Sequence, residues 1–211
     1  MRSATACKRH RSAGFSLIEL MVAIGLLGAL AALGAPALLT FMDNSRIRAS
    51  AEAFYATVQQ ARAEAVRRNT AVDLVLTADA PTEANVDTAG LANDGAGTPN
   101  VLVRSRFRPA GATEDTLVFL QGKPIVEGAR GGGGATVSVA FTDGTVTFTP
   151  LSNTTKTSGV ANYTFTLPSG GACVADGGPM RCLRVAISPG GRVQLCDPVV
   201  SAEADTRRCP S

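Results

Sequence analysis

The feature that most constrains this chain is GFSLIELMVAIGLLGALAALGAPALL, positions 14 to 39. From Leu20 to Leu39 there are twenty residues without a charge. As helix they reach about 30 Å, the hydrocarbon thickness of a bilayer. Glu19 stands at the head of this run, and no Lys, Arg or His follows it until Arg46. A lone carboxylate at membrane depth costs roughly 2.5–3.5 kcal/mol, so a chain that keeps one there needs a partner for it. Upstream lie Arg2, Lys8, Arg9 and Arg11, with no acid before Glu19. That asymmetry predicts a single pass with the N-terminus in the cytoplasm and the rest of the chain outside. A secretory signal places its cleavage site after the apolar region. Here the small residue, Gly14, comes before it.

The charge balance depends on those first residues. The formal charge of +3 includes four of the 20 basic side chains within positions 1 to 14. Without them, 16 basic side chains face 17 acidic ones, a net of −1. His10 is the only histidine and lies in the same segment. A chain processed there has no imidazole, which removes Ser-His and Cys-His nucleophile pairs and the usual zinc ligand sets. The remaining carboxylates are scattered through loops with no pairing suited to acid/base work. No enzymatic activity, cofactor or metal site is expected.

The residues GFSLIELM, behind a basic segment, resemble the N-terminal motif of type IV prepilins and type II secretion pseudopilins. The resemblance implies cleavage between Gly14 and Phe15 by a prepilin peptidase and N-methylation of Phe15. It also implies a role for Glu19, whose carboxylate would meet the α-amine of a neighbouring subunit's Phe15. In a low-dielectric stack such pairing offsets the desolvation of both charges. Pro36 interrupts the helical hydrogen-bond ladder and invites a kink, and its distance from the cleavage site also resembles the pilin pattern. The expected division is a leader at 1–14, a transmembrane and assembly helix at 15–39, an amphipathic second half at 40–69 and an exported β-rich domain at 70–211.

After Leu39 the pattern becomes amphipathic. Phe54, Val58, Ala61 and Ala65 fall on one face at helical spacing. Arg62, Glu64, Arg67 and Arg68 fall mostly on the solvated side, Glu64 and Arg68 forming an i, i+4 pair. Asn69 is the expected stop, and Asp43-Asn44-Ser45 an expected bend. Helix from Phe15 to Asn69 would be about 80 Å long. The stretch QQARAEAVRRNTAVDLVL resembles the helix-to-first-strand junction of the GspH/FimT group of minor pseudopilins and minor pilins. In the strand, Val72, Leu74 and Leu76 share one face and Asp73, Val75 and Thr77 the other.

Residues 78 to 100 read as a long polar loop. Beyond it, short alternating runs at 101–107, 116–120, 136–141, 145–149, 162–167, 182–187 and 192–196 read as strands. Asp143-Gly144 between two of them predicts a hairpin. The four glycines 131 to 134 read as a turn rather than a phosphate cradle, since no helix or Lys-Ser/Thr follows. The expected fold class is α+β, pilin-like, with antiparallel sheet packed on the amphipathic half of a long N-terminal helix.

Cys173, Cys182, Cys196 and Cys209 are an even set in an exported domain and predict disulfides. A hairpin turning through Pro189-Gly190 would set Cys182 opposite Cys196 and leave Cys173 with Cys209. Sequential pairing, 173 with 182 and 196 with 209, closes shorter loops. No C-x-x-C spacing supports zinc.

The resemblance implies a minor pilin or pseudopilin of a bacterial inner membrane that helps to initiate or cap a pilus or pseudopilus at its tip. Its partners would be other minor and major pilins or pseudopilins, the prepilin peptidase and membrane lipid, in type II secretion or type IV pilus biogenesis. The alternative is a DNA-binding minor pilin of the FimT type, which uses a C-terminal Gly-Arg-x-Arg motif for DNA uptake. Here Gly191-Arg192-Val193-Gln194 stands in its place, with Gln194 for the second arginine. Arg192, Arg207 and Arg208 are the candidate nucleic-acid contacts. From Arg181 onward, five basic side chains face three acidic ones, a thin excess for phosphate binding.

Overall fold

A computed structural model describes residues 16–91, 96–97, 99–125 and 136–210, apart from the side chains of 33–37 and 96–97. Gly14, Phe15 and the glycines 131 to 134 lie outside the described residues. Contacts divide the chain into two compact units, residues 1–39 and 40–211.

One helix, α1, runs from Leu17 to Arg68. Asp43-Asn44-Ser45 lies within the helix, and two of its polar side chains are engaged. Asp43 pairs with Arg46 at 2.9 Å, and Asn44 Oδ1 accepts from the Arg181 backbone N–H at 2.8 Å. The helix also continues through Pro36. The helix ends at Asn69, which takes φ 53°. The Thr70 N–H then reaches back to the Ala65 carbonyl at 3.3 Å, the six-to-one bond of a left-handed helix cap. Glu64 binds both Arg67 and Arg68 at 2.7 Å. Those hydrogen bonds hold its carboxyl below the ordinary range.

Among the described residues nine strands follow: β1 Ala71–Thr77, β2 Ala96–Gly97, β3 Asn100–Phe107, β4 Thr116–Pro124, β5 Ser138–Phe141, β6 Thr145–Phe148, β7 Ala161–Thr166, β8 Leu183–Ile187 and β9 Val193–Cys196. They form two antiparallel sheets, ordered β4-β3-β1-β6 and β2-β5-β7-β8-β9. The expected face of α1 supplies the core: Phe54, Val58, Ala61 and Ala65 are buried, joined by Ile47 and Ala51. Phe54 sits 4.9 Å from the Tyr163 ring and 5.6 Å from Phe165, centroid to centroid. Residues of both sheets, among them Leu74, Phe148, Tyr163 and Ile187, share one cluster with the helix. The fold is α+β and pilin-like.

Asp143-Gly144 does not make a hairpin. β5 pairs with β7 in one sheet and β6 with β1 in the other, so the two residues form a corner between sheets. Local alternation signals two strands and a tight turn, and tertiary pairing decides their neighbours. The corner is pinned on several sides. The Gly144 carbonyl accepts the Leu76 N–H at 2.8 Å, the Asp143 carbonyl accepts the Tyr163 hydroxyl at 2.9 Å, and Lys156 pairs with the Asp143 carboxylate at 2.7 Å. Burial, and secondarily the Asp143 charge, drives the Tyr163 hydroxyl pKa upward.

Candidate functional site

The apolar half of α1 presents its side chains outward. Leu17, Ile18, Met21, Leu27 and Leu30 are each at least 66% exposed, and Glu19 stands among them, also exposed. Isolated exposed leucines are ordinary, but a continuous apolar surface of this extent marks contact with lipid or other chains. Among the described residues no helical stretch is long and apolar enough to cross a membrane. The side chains of 33 to 37, Pro36 included, lie outside that description.

On β1 the expected alternation holds, yet both faces are buried. Asp73 is fully buried and its carboxylate collects Arg106 at 2.6 Å, Arg104 at 3.2 Å and the Thr147 hydroxyl at 2.7 Å. Arg104 then extends to the Val86 and Thr88 carbonyls at 2.6 and 2.9 Å. The polar segment after β1 is therefore no free loop. Residues 78–91 are fastened to the first sheet through Arg104 and through the Leu91 N–H on the Leu76 carbonyl, and they include a 3-10 turn at Glu83–Asn85. Sequence reasoning missed this network. Its signal was an acid inside a strand, with Arg104 and Arg106 alternating in VLVRSRF.

The C-terminal hairpin carries the cysteines. Its register sets Ile187 opposite Val193 and Arg184 opposite Cys196. Cys182 thus lies two residues beyond the position that faces Cys196, and that pairing is not made. The bonds join Cys173 to Cys182 and Cys196 to Cys209, closing loops of sequence separation 9 and 13. The five residues 188 to 192 make a longer turn than a two-residue Pro-Gly connection. Gly191 takes φ 76° there, and a Cβ on it would fall 1.8 Å from the Ser152 carbonyl oxygen.

The three candidate arginines are not equivalent. Arg207 forks onto Asp205 at 2.7 and 3.1 Å, and its side-chain and backbone N–H groups hold the Asp205 carboxyl at about 2. Arg208 lies 3.8 Å from Glu203. Arg192 is exposed, with no carboxylate in ion-pair range among the described residues. Gln194 spends its amide on the Thr206 and Arg208 carbonyls at 3.1 and 2.8 Å.

A cleft of about 620 Å³ lies between the helix at Phe41–Arg48 and the hairpin, lined by Arg48, Arg181, Leu183, Leu195 and Arg207 beside Asp197. Phe41 at its lip is 71% exposed. Arg48 is paired with Glu52 and Arg207 with Asp205. The lining is therefore mixed, apolar and polar, with two of its three arginines paired to acids. No group of three or more His, Cys, Asp or Glu able to hold a metal occurs among the described residues.

Comparison with known proteins gives two family matches. Residues 50–191 match the family described as type II transport protein GspH, and residues 9–35 match the prokaryotic N-terminal methylation motif. Two crystal structures of the type IV minor pilin FimU of Pseudomonas aeruginosa strain PAO1, in space groups P21 and P65, are similar at 17% identity. They cover 74% and 70% of this chain and 91% and 90% of theirs, with TM-scores of 0.44 and 0.43. Among curated proteins no sequence matches.

Proposed function

From the premise that the chain belongs to the GspH family, we propose that it is a minor pilin or pseudopilin subunit that helps to initiate or cap a pilus or pseudopilus at its tip. The observation that carries this reading is the outward-facing apolar helix from Leu17, with Glu19 in it, on a chain whose folded domain begins at Thr40. Such a surface is satisfied first by lipid, as a single-pass anchor in the inner membrane, and then by the same helices of neighbouring subunits. Its chemistry is that of assembly, with no catalytic step.

The prepilin peptidase acts first, between Gly14 and Phe15, and Phe15 is then methylated. Removing the basic leader takes away the charges that hold the N-terminus at the cytoplasmic face. It leaves an α-amine four residues from Glu19. Within one helix these groups lie about 6 Å apart along the axis. An axial offset between subunits of similar size therefore brings one chain's amine beside the next chain's carboxylate. Pro36 supplies a point where the helix can yield as subunits pack.

Mass spectrometry of the chain recovered from membranes of its host tests this reading. The expected mature terminus is Phe15 carrying one methyl group. A chain that keeps its leader, with no cross-links to other pilin-type subunits, would contradict it.

A further inference from the structure

The cleft beside Phe41 borders the core where the helix enters it. Ile47 is fully buried, whereas Phe41 and Met42, less than two turns earlier, are 71% and 44% exposed. Leu183 and Leu195 pack against the edge of the core and form the apolar wall of the cleft. At about 620 Å³ it has the size of a small-molecule site.

Its three cations are unequal. Arg207 forks onto Asp205. Arg48 meets Glu52 at 2.8 Å in an exposed i, i+4 pair, which contributes little and leaves its guanidinium open to a stronger acceptor. Arg181 is exposed, with no carboxylate in ion-pair range among the described residues. Its main chain is nevertheless fixed. The Arg181 N–H donates to Asn44 Oδ1 at 2.8 Å, and its neighbours are the buried Met180 and the disulfide-bonded Cys182. Asp197, the acid of the lining, is buried and already accepts the Val199 N–H at 3.0 Å. The cleft thus holds a backbone-anchored arginine that lacks an anion, beside an apolar wall.

Place along the chain narrows the class of anion. The uncharged run ends at Leu39, and the helical rise sets Phe41 about 3 Å and Asn44 about 7.5 Å further on. The headgroup layer of a bilayer is about 5–7 Å deep on each side. Given the reading of this chain as a single-pass subunit, Phe41 falls at the depth where aromatic side chains favour the interface. Asn44, with Arg181 hydrogen-bonded to it, falls at the depth of the phosphates. Arg48 lies further along, and helical side chains lean back toward the helix N-terminus, which is toward that layer.

We propose that this cleft is a binding site for an anionic phospholipid of the phosphatidylglycerol class. The lipid's phosphodiester lies against Arg181, with Arg48 as a second donor, and its glycerol backbone and first methylenes lie against Leu183, Leu195 and Phe41. The Ser45 hydroxyl lines the same cleft and suits the glycerol headgroup. A zwitterionic lipid would bring an ammonium group against the guanidinium, so the site selects net negative charge. The proposal rests on the membrane-anchored reading above and adds a specific lipid contact to it.

The full-length chain in nanodiscs of phosphatidylcholine mixed with phosphatidylglycerol tests this, by native mass spectrometry of the lipids that leave the disc with the protein. The expected result is at least tenfold enrichment of phosphatidylglycerol over the disc composition, about 1.4 kcal/mol of selectivity. Arg181→Glu should abolish the enrichment with the unfolding midpoint unchanged. Arg192→Glu, the same charge change at an exposed arginine outside the cleft, should keep it. Excess inorganic phosphate or a glutamate-rich peptide should leave it in place. An inserted chain without enrichment, enrichment that survives Arg181→Glu, or equal loss with Arg192→Glu would each overturn the proposal. Displacement by phosphate would reveal a plain anion site, and displacement by the peptide an acidic protein partner; either overturns the lipid assignment. Flotation scores insertion separately, and a chain that does not float with the discs would overturn the anchor reading, and the site with it.

Discussion

The Asp73 carboxylate and the Arg106 guanidinium meet at 2.6 Å across β1 and β3, with Asp73 fully buried. Asp73→Ala strands Arg104, whose side chain is only 10% exposed. Breaking a buried pair from one side costs about 3–5 kcal/mol. Urea unfolding of the detergent-solubilised chain should show a loss of that order. Arg106→Ala should cost less, because Arg106 is 39% exposed and Arg104 still serves the acid. Equal losses would show that the two arginines share the burden.

Phe54 is the ring on which helix and sheet meet. Phe54→Ala removes its contacts with Tyr163 and Phe165 and should cost about 3–5 kcal/mol, the usual range for a core aromatic. Phe41→Ala, on the exposed lip of the cleft, should leave the unfolding midpoint in place.

Asn69 was legible as the helix stop, and so was the buried face of Phe54, Val58, Ala61 and Ala65. Both follow from spacing and local backbone chemistry, which a sequence displays directly. The Asp143-Gly144 corner was not legible, because local alternation is silent on which strand a strand adjoins. Likewise the cysteine pairing turned on a register offset of two residues, set by the Ser188–Arg192 turn and its contact with Ser152. The polar segment after β1 looked like free loop because its hold on the sheet comes from Arg104, sixteen and eighteen residues away from Thr88 and Val86. Within the candidate site, the motif spanning residues 9–35 was plain in sequence, whereas the use of the Gln194 amide on the Thr206 and Arg208 carbonyls required the folded hairpin.

The helix cap itself predicts a contrast. With φ 53° at Asn69, Asn69→Ala should destabilise by about 1 kcal/mol, while Asn69→Gly, at ease in that conformation, should not. Thermal unfolding of the two variants side by side measures it.

Asp205 offers a pH test. Its folded pKa of about 2 lies below the ordinary 3.8, chiefly through hydrogen bonds from Arg207. A depressed carboxyl stabilises the fold above the unfolded pKa, and that contribution is lost as pH falls through the folded value. The Arg207–Asp205 fork should therefore persist at pH 4 and dissolve toward pH 2. Carboxyl-detected NMR should place the midpoint near 2, and Arg207→Ala should return it toward 3.8.

With Arg207 and Arg208 facing acids and Gln194 occupied, Arg192 is the one of the three candidate arginines without an acid in range among the described residues. Double-stranded DNA titrated across a salt series should show negligible affinity. A salt-sensitive micromolar affinity that falls with Arg192→Ala would instead support a role in DNA uptake.

Glu19→Ala tests the central claim most directly, with membrane fractionation and co-isolation with partner subunits measured on the same cells. The account predicts normal insertion and processing with loss of incorporation into assembled complexes. Incorporation at the wild-type level, or loss of insertion with assembly intact, would contradict it.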